Sequence, residues 1–299
     1  MILKRLLFVA FTFGSVLLVS SCGSGNGGNN VNDGKDTTKK DTGGSLNTVF
    51  NGKIFSVPSP FQTAFLIKKT GAAYAKDILN PSSSVNTYST NYQKALNLGV
   101  YGADLGYVTL YDQTQDALGY FQSVKKLADD LGVSAAFSKD LLERFQKNLG
   151  KRDSMLNLVS SAYRASNDFL KNNDRNEVGA LIIAGGWIES LHFAINVSKQ
   201  KQNDEVIKRV AEQRTSLESV IGLMEMNSAQ DDYAELIKGL KDLKADFDAI
   251  QYKYVYDKPV TDEKSMTTTF TGKTEVVITP EQLDSIGKKV AALRKLIVG

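Results

Sequence analysis

The sequence predicts a mainly α protein, a multi-helix up-down bundle with small β-hairpins near both ends, and three observations carry that expectation. Apolar residues recur at helical spacing from residue 60 almost to Tyr252, punctuated at Asn80-Pro81, Gly132, Gly150 and Asn172-Asn173. Short β-rich arms flank Asn51-Gly52 at one end and Gly272-Lys273 at the other. Ser59-x-x-Gln62, Asp174-x-x-Glu177 and Thr279-x-x-Gln282 read as capping boxes at helix starts, with Pro60 and Pro280 at first helical positions.

The elements follow in order. Thr48 to Val57 is a hairpin. Helices are expected over 60–78, 87–112, 114–131, 135–149, 154–172, 175–199, 204–226 and 229–251. Tyr252, Tyr254 and Tyr256 alternate with Lys253 and Val255, which suits an extended segment. Met266 to Ile278 reads as a second hairpin, and a final amphipathic helix follows Thr279. The two hairpins are candidates to pair into one small sheet. The helices read either as a single bundle or as two packed four-helix units, 59–150 and 153–252, followed by a hairpin and helix over 253–299.

Two helices differ from the rest. Leu96 to Tyr111 holds Gly99, Gly102, Ala103 and Gly106 at three- and four-residue spacings, a flat face that lets another helix approach. Three glycines at about 1 kcal/mol each against Ala need such a packing reason. Val178 to Val197 is apolar around its circumference apart from Glu189, His192 and Asn196, as a central helix would be. It does not read as a membrane span, because Glu189 would be costly in hydrocarbon. Each of these helices comes second in a set of four, one with Asp104 and the other with Glu189, an arrangement that an internal duplication would produce.

The amino terminus points to export. Lys4 and Arg5 precede an apolar run from Leu6 to Val19, and Ser20, Ser21 and Cys22 follow, the three-part layout of a signal peptide over residues 1–21. Val19-Ser20-Ser21-Cys22 resembles the bacterial lipobox, and Cys22 is the only cysteine. That resemblance implies a thioether-linked diacylglycerol on Cys22, cleavage before it and acylation of its amine. Several chains at about 0.8 kcal/mol per buried methylene would hold a soluble domain at a bilayer. With no second cysteine the mature fold has no internal disulfide.

Residues 22–46 are rich in Gly, Asn, Asp, Lys and Thr and read as a flexible tether with a reach of roughly 25–30 Å, leaving 47–299 as the helical domain. In this the chain resembles envelope lipoproteins of Bacteroidetes-type bacteria. Gly23, Ser24, Gly25 and Asn26 follow the cysteine in place of an inner-membrane Asp or an acidic surface-export cluster. By that resemblance the expected location is the outer membrane, with the periplasmic face favoured over the cell surface. Removing residues 1–21 takes away two positive charges and no negative ones, so the formal net charge falls from +3 to +1, which does not point to nucleic acid.

Glu189 and His192 lie three residues apart on one helical face, the Glu-x-x-His spacing by which carboxylate bundles hold metal. A dinuclear site needs a second such pair, and His192 is the only histidine. Asp104 and Tyr107 would substitute only if the two unusual helices face each other. The favoured reading is a buried polar cluster of Glu189, His192 and Asp104 that fixes helix register, ahead of a small-ligand pocket and then a metal site, so no cofactor besides the covalent lipid is expected.

Imelysin-like periplasmic lipoproteins are similar in architecture and carry Gly-x-His-x-x-Glu. Here Gly186 to His192 has the glutamate before the histidine, so none of that family's site residues carries over. No Ser-His-Asp grouping, zinc-hydrolase helix or phosphate-binding loop is signalled, which makes an enzymatic role the third choice. The tyrosines at 88, 92, 101, 107, 111 and 120 are expected in helix interfaces, and Lys238 to Asp248 as a solvated face. Asp36-Thr37-Thr38 and Asp153-Ser154-Met155 resemble O-glycosylation sites of Bacteroidetes-type exported proteins, Thr37 being the more accessible. The expected role is that of a binding, accessory or scaffold component with an envelope protein partner. The alternative is a ligand- or metal-binding site between the helices carrying Asp104 and Glu189/His192.

Overall fold

Strand β1, Leu46–Phe50, pairs antiparallel with β2, Lys53–Val57, with Phe50 opposite Lys53; the Asn51-Gly52 turn expected between them lies outside the described residues. The computed structural model describes residues 46–50 and 53–299, except 135–138, 149–150, 152, 156, 159–160, 162–164, 166–167, 170–171, 174, 201–202 and 228–232. Cys22 and Thr37 therefore lie outside the described residues, as does Asp174 of the second capping box.

The chain is mainly α, a helical bundle. Helix α1 spans Pro60–Lys69, shorter than the expected 60–78, because Thr70 folds its hydroxyl and amide back onto the Ile67 carbonyl and Gly71 takes a φ of +75°. Ser59 precedes it in extended conformation, but the expected capping box does not form. The Gln62 side chain is held instead by Arg209, whose Nη2 donates to Oε1 at 3.0 Å. After α1, a short 3-10 turn at Lys76–Ile78 replaces the end of the expected helix, and a second, at Ser82–Asn86, falls in the expected break before the next helix.

Helix α2, Asn91–Leu110, opens on a capping box formed by Thr90 and Gln93, which the sequence reading passed over. Helices α3, Thr114–Asp130, and α4, Lys139–Lys147, follow, with Gly132 at φ +69° ending the first. Helical residues recur among those described between 153 and 172. Helix α5 is Asn176–Gln200.

The expected helix 204–226 is two helices, α6, Asp204–Ala211, and α7, Arg214–Met226. Gln213 sits at the joint, where its side chain accepts from Trp187 Nε1 at 3.1 Å and donates to the Arg209 carbonyl at 3.1 Å. Helix α8 is Tyr233–Asp248 and α9, Pro280–Val298, starts on the expected Thr279–Gln282 box.

The carboxy-terminal strands correct two expectations. β3, Gln251–Val255, pairs with β6, Lys273–Val277, while β4, Val260–Asp262, pairs with β5, Thr267–Thr269. Gly272-Lys273 is thus no hairpin turn, because its two arms pair backwards with earlier strands. Among the described residues the strands form three separate two-stranded ladders, and the end hairpins do not join.

Helix α5 is the centre of the bundle. It packs against α1, α2, α6, α7 and α9, and all but its flanks is buried. By length and composition it could cross a membrane, yet 94% of its most apolar window is enclosed by the fold. Its closest neighbour is α2. A Cβ at Gly99 would overlap the Ile182 carbonyl oxygen and lie 2.7 Å from the Gly186 nitrogen. A Cβ at Gly185 would overlap the Leu96 carbonyl oxygen. The two helices meet backbone to backbone there, which only glycine allows. Gly102 has no such role, since nothing lies within 4 Å of the space its Cβ would take.

Candidate functional site

The close α2–α5 approach sets Asp104 and Glu189 side by side in the core, each with no solvent exposure. Helix α9 supplies the third member. Arg294 Nε donates to Glu189 Oε2 at 2.6 Å and Nη2 to Oε1 at 2.9 Å, a bidentate pair, and Nη2 also reaches the Ile78 carbonyl at 3.2 Å. The Arg294 side chain is itself 16% exposed, so its stem lines the core while one edge nears solvent.

Asp104 is the unusual group. Neither of its oxygens meets a donor at hydrogen-bond geometry, and its near neighbours are the Glu189 carboxyl and the Asn80 amide. A contact between two carboxyls becomes a hydrogen bond only when one of them holds a proton. Burial pushes both carboxyls above the usual range, with the Glu189 charge adding to the rise at Asp104, while Arg294 works in the opposite direction most strongly at Glu189. Burial thus drives both carboxyls toward the protonated form, and the Arg294 guanidinium favours the ionised form most directly at Glu189, which it holds. Asp104, Glu189 and Arg294 make one buried cluster.

Around it runs a second polar layer. Asn80 Nδ2 donates to Tyr88 Oη at 2.9 Å and to Asn97 Oδ1 at 3.3 Å, and Asn97 Nδ2 donates to the Ile297 carbonyl at 2.8 Å. These bonds tie α9 and the 78–82 segment to α2.

His192 is one turn beyond Glu189 but does not join it. Its ring lies 3.1 Å (Nδ1) and 3.3 Å (Nε2) from Asn196 Nδ2 and contacts the Ile78 carbonyl. Burial first, and the Arg294 charge second, bring its pKa down to about 4 against the opposing Ile78 carbonyl, so the ring is neutral near pH 7. Tyr107 accepts from the Ala75 amide at 3.2 Å and packs its ring on Tyr74, Tyr111 and Phe193. The structure thus joins Asp104 and Glu189, sets His192 on the far side of a shared carbonyl, and gives Tyr107 to an aromatic cluster.

Both oxygens of Glu189 are engaged by Arg294. Among the described residues no three His, Cys, Asp or Glu side chains gather as a metal set. Beside Trp187 a small cleft lined by Thr63, Ser190, Arg209 and Gln213 has room of about 10 Å³, the scale of one water.

Sequence reasoning missed Arg294, which lies 105 residues from Glu189. Its signal was present: Ile286, Val290 and Arg294 are spaced by four, which puts a cation on the stripe that α9 buries. No known protein family, curated protein or solved structure matches this chain.

Proposed function

We propose that this chain is a lipid-anchored helical protein of a bacterial envelope, attached through Cys22 to the outer membrane. In this reading it works from the periplasmic face as a binding, accessory or scaffold component. The observation that carries the non-catalytic part is the use made of its most reactive side chains. Asp104, Glu189, Arg294 and His192 are directed at one another and at backbone carbonyls inside the α2–α5–α9 contact. A catalytic acid or base needs reach to a substrate proton, whereas these groups join three helices far apart in sequence. The lipobox-like Val19-Ser20-Ser21-Cys22 and the Gly/Asn-rich tether support the anchor.

Crosslinking in native membranes followed by affinity purification tests the role, with a Cys22→Ser chain as control. A recurrent envelope protein that disappears in the control supports the proposal. Repeated recovery of the chain without partners contradicts it. Ligand binding between α2 and α5 is the weaker reading, since Arg294 already occupies the carboxylate it would use.

A further inference from the structure

We propose that the ribbon between α8 and α9 is a membrane-contacting arm, whose tip seats in the interfacial layer of the bilayer that holds the anchor. This rests on the anchor proposed above and adds a second, weaker contact to it. The ribbon is docked at its base. Tyr252 donates from Oη to the Ala211 carbonyl at 2.6 Å, Arg214 Cζ stands 5.8 Å from the centre of its ring, and Val276, paired with it, is partly buried. Past that base none of residues 256–271 is buried, and all but Pro259 are exposed.

That exposed length carries large apolar side chains. Tyr256 is 70% exposed, Phe270 80% and Met266 91%. Met266 also takes a φ of +49°, in the left-handed region that residues other than Gly, Asn and Asp seldom adopt. It sits in the turn that closes the ribbon opposite its base, between β4 and β5. There Asp262 accepts from the Lys264 amide at 2.9 Å and from Ser265 Oγ at 2.8 Å, which fixes the turn that presents the methionine.

Two observations select lipid as the occupant. The first is where the chain enters the domain. Leu46 pairs with Val57, and Pro58, the next residue, lines the cleft beside Arg209, Val210 and Gln213. The ribbon docks on Ala211 and Arg214, so the domain begins and the arm leaves at the same α6–α7 joint. By their composition residues 22–46 would span roughly 25–30 Å. From Tyr252 to Lys264 the ribbon spans at most about 40 Å at ~3.3 Å per residue. A bilayer holding Cys22 is therefore within reach of the arm's tip.

The second is the form of the apolar surface. With so little of either side chain covered, Met266 and Phe270 are separate prongs rather than parts of one packed patch. A standard protein interface needs about 800 Å² of complementary surface per partner. A bilayer interface accepts aromatic and apolar side chains one at a time. Lys258 and Lys264 are offset by Asp257, Asp262 and Glu263, so the arm has no net attraction to anionic headgroups, and its contact is apolar.

The test uses the full chain, purified from membranes and reconstituted in phosphatidylcholine vesicles. Acylation leaves no free thiol, so Met266→Cys can be labelled alone with a polarity-sensitive dye. Ala234→Cys, exposed and about 20 Å along α8 from the ribbon's base, is the control. Lipids brominated on their acyl chains should quench the dye at 266 at least about threefold more than at 234, with no change between about 0.1 and 0.5 M salt. The processed chain starting at residue 22, with Cys22→Ser, should still bind these vesicles weakly. Met266→Ser with Phe270→Ser should weaken that binding about tenfold or more and leave the urea midpoint unchanged, since neither side chain packs on the fold. Equal quenching at 266 and 234, binding that the serine pair leaves intact, or quenching that requires anionic lipid would each overturn the arm's role. A protein crosslinked to position 266 in native membranes, with no quenching in vesicles, would replace the lipid by a polypeptide partner. Dye uptake by the wild type would report a free thiol at Cys22, a failure of the anchor that the Cys22→Ser assay separates from a failure of the arm.

Discussion

Replacing Arg294 by Met keeps most of the aliphatic packing of α9 and removes the guanidinium from Glu189, which has no exposure of its own. Breaking a buried pair by removing one partner costs about 3–5 kcal/mol. Glu189 can escape by taking up a proton, and that cost is set by pH. From the ordinary carboxyl value of 4.5 it is about 3 kcal/mol at pH 7 and under about 1 kcal/mol at pH 5. With the cation gone, the folded pKa of Glu189 is raised, so this contribution to stability is present below pH 4.5 and lost as pH rises. The penalty of Arg294→Met relative to wild type, read by urea unfolding, should therefore shrink by about 2 kcal/mol between pH 7 and pH 5. Adding Glu189→Gln to Arg294→Met should recover part of the loss at pH 7, since no charge is then buried alone. A penalty under about 1 kcal/mol at pH 7, or one that does not change with pH, would refute the buried-pair reasoning.

The same cluster and the helix crossing make three further predictions. The raised pKa of Asp104 means the folded state holds a proton that the unfolded chain releases above pH 3.8, so this contribution is lost as pH rises. Asp104→Asn, which keeps a donor toward Glu189 without needing that proton, should gain on wild type by up to about 1.4 kcal/mol per pH unit as pH rises from 3.8 toward the raised folded value, read by thermal or urea unfolding. His192 acts with the opposite sign. Its folded pKa of about 4 lies below the ordinary 6.5, so its contribution is lost as pH falls through that interval. The cost of His192→Gln should therefore shrink by about 1–2 kcal/mol from pH 7 to pH 5, after allowing for partial solvent screening. At the crossing, Gly99→Ala should cost more than about 3 kcal/mol or prevent folding, because a backbone carbonyl occupies the Cβ position. Gly102→Ala, in the same helix with open space, should gain about 0.5–1 kcal/mol. Equal effects at the two glycines would contradict the α2–α5 geometry.

What was legible in the sequence follows from how local each signal is. The Thr279–Gln282 box and the pairing of the arms on either side of Asn51-Gly52 are fixed by a few neighbouring residues, and the structure keeps the box and pairs the arms. Ser59-x-x-Gln62 is just as local, but a residue 147 positions away takes the glutamine. The strand partners of 267–277 failed for a related reason, because nested pairing depends on a contact between β3 and β6 that propensity does not encode. Helix lengths erred where a tertiary feature interrupts the period, as at Gln213, whose side chain is engaged by Trp187. At the site, Asp104 and Glu189 were recognisable as acids on otherwise apolar helices. That they touch follows from Gly99 meeting Ile182 and Gly186 and from Gly185 meeting Leu96, and neither Gly185 nor Gly186 was read as a packing residue. Arg294 stood on an apolar stripe but had no local partner to announce it.

The proposed membrane attachment depends on residue 22. Mass spectrometry of the amino-terminal peptide of the mature protein should find a chain that begins at Cys22 and carries diacylglycerol on sulfur and an acyl group on its amine. A soluble product with an unmodified thiol at that position would contradict the anchor, and with it the role proposed for the helical domain.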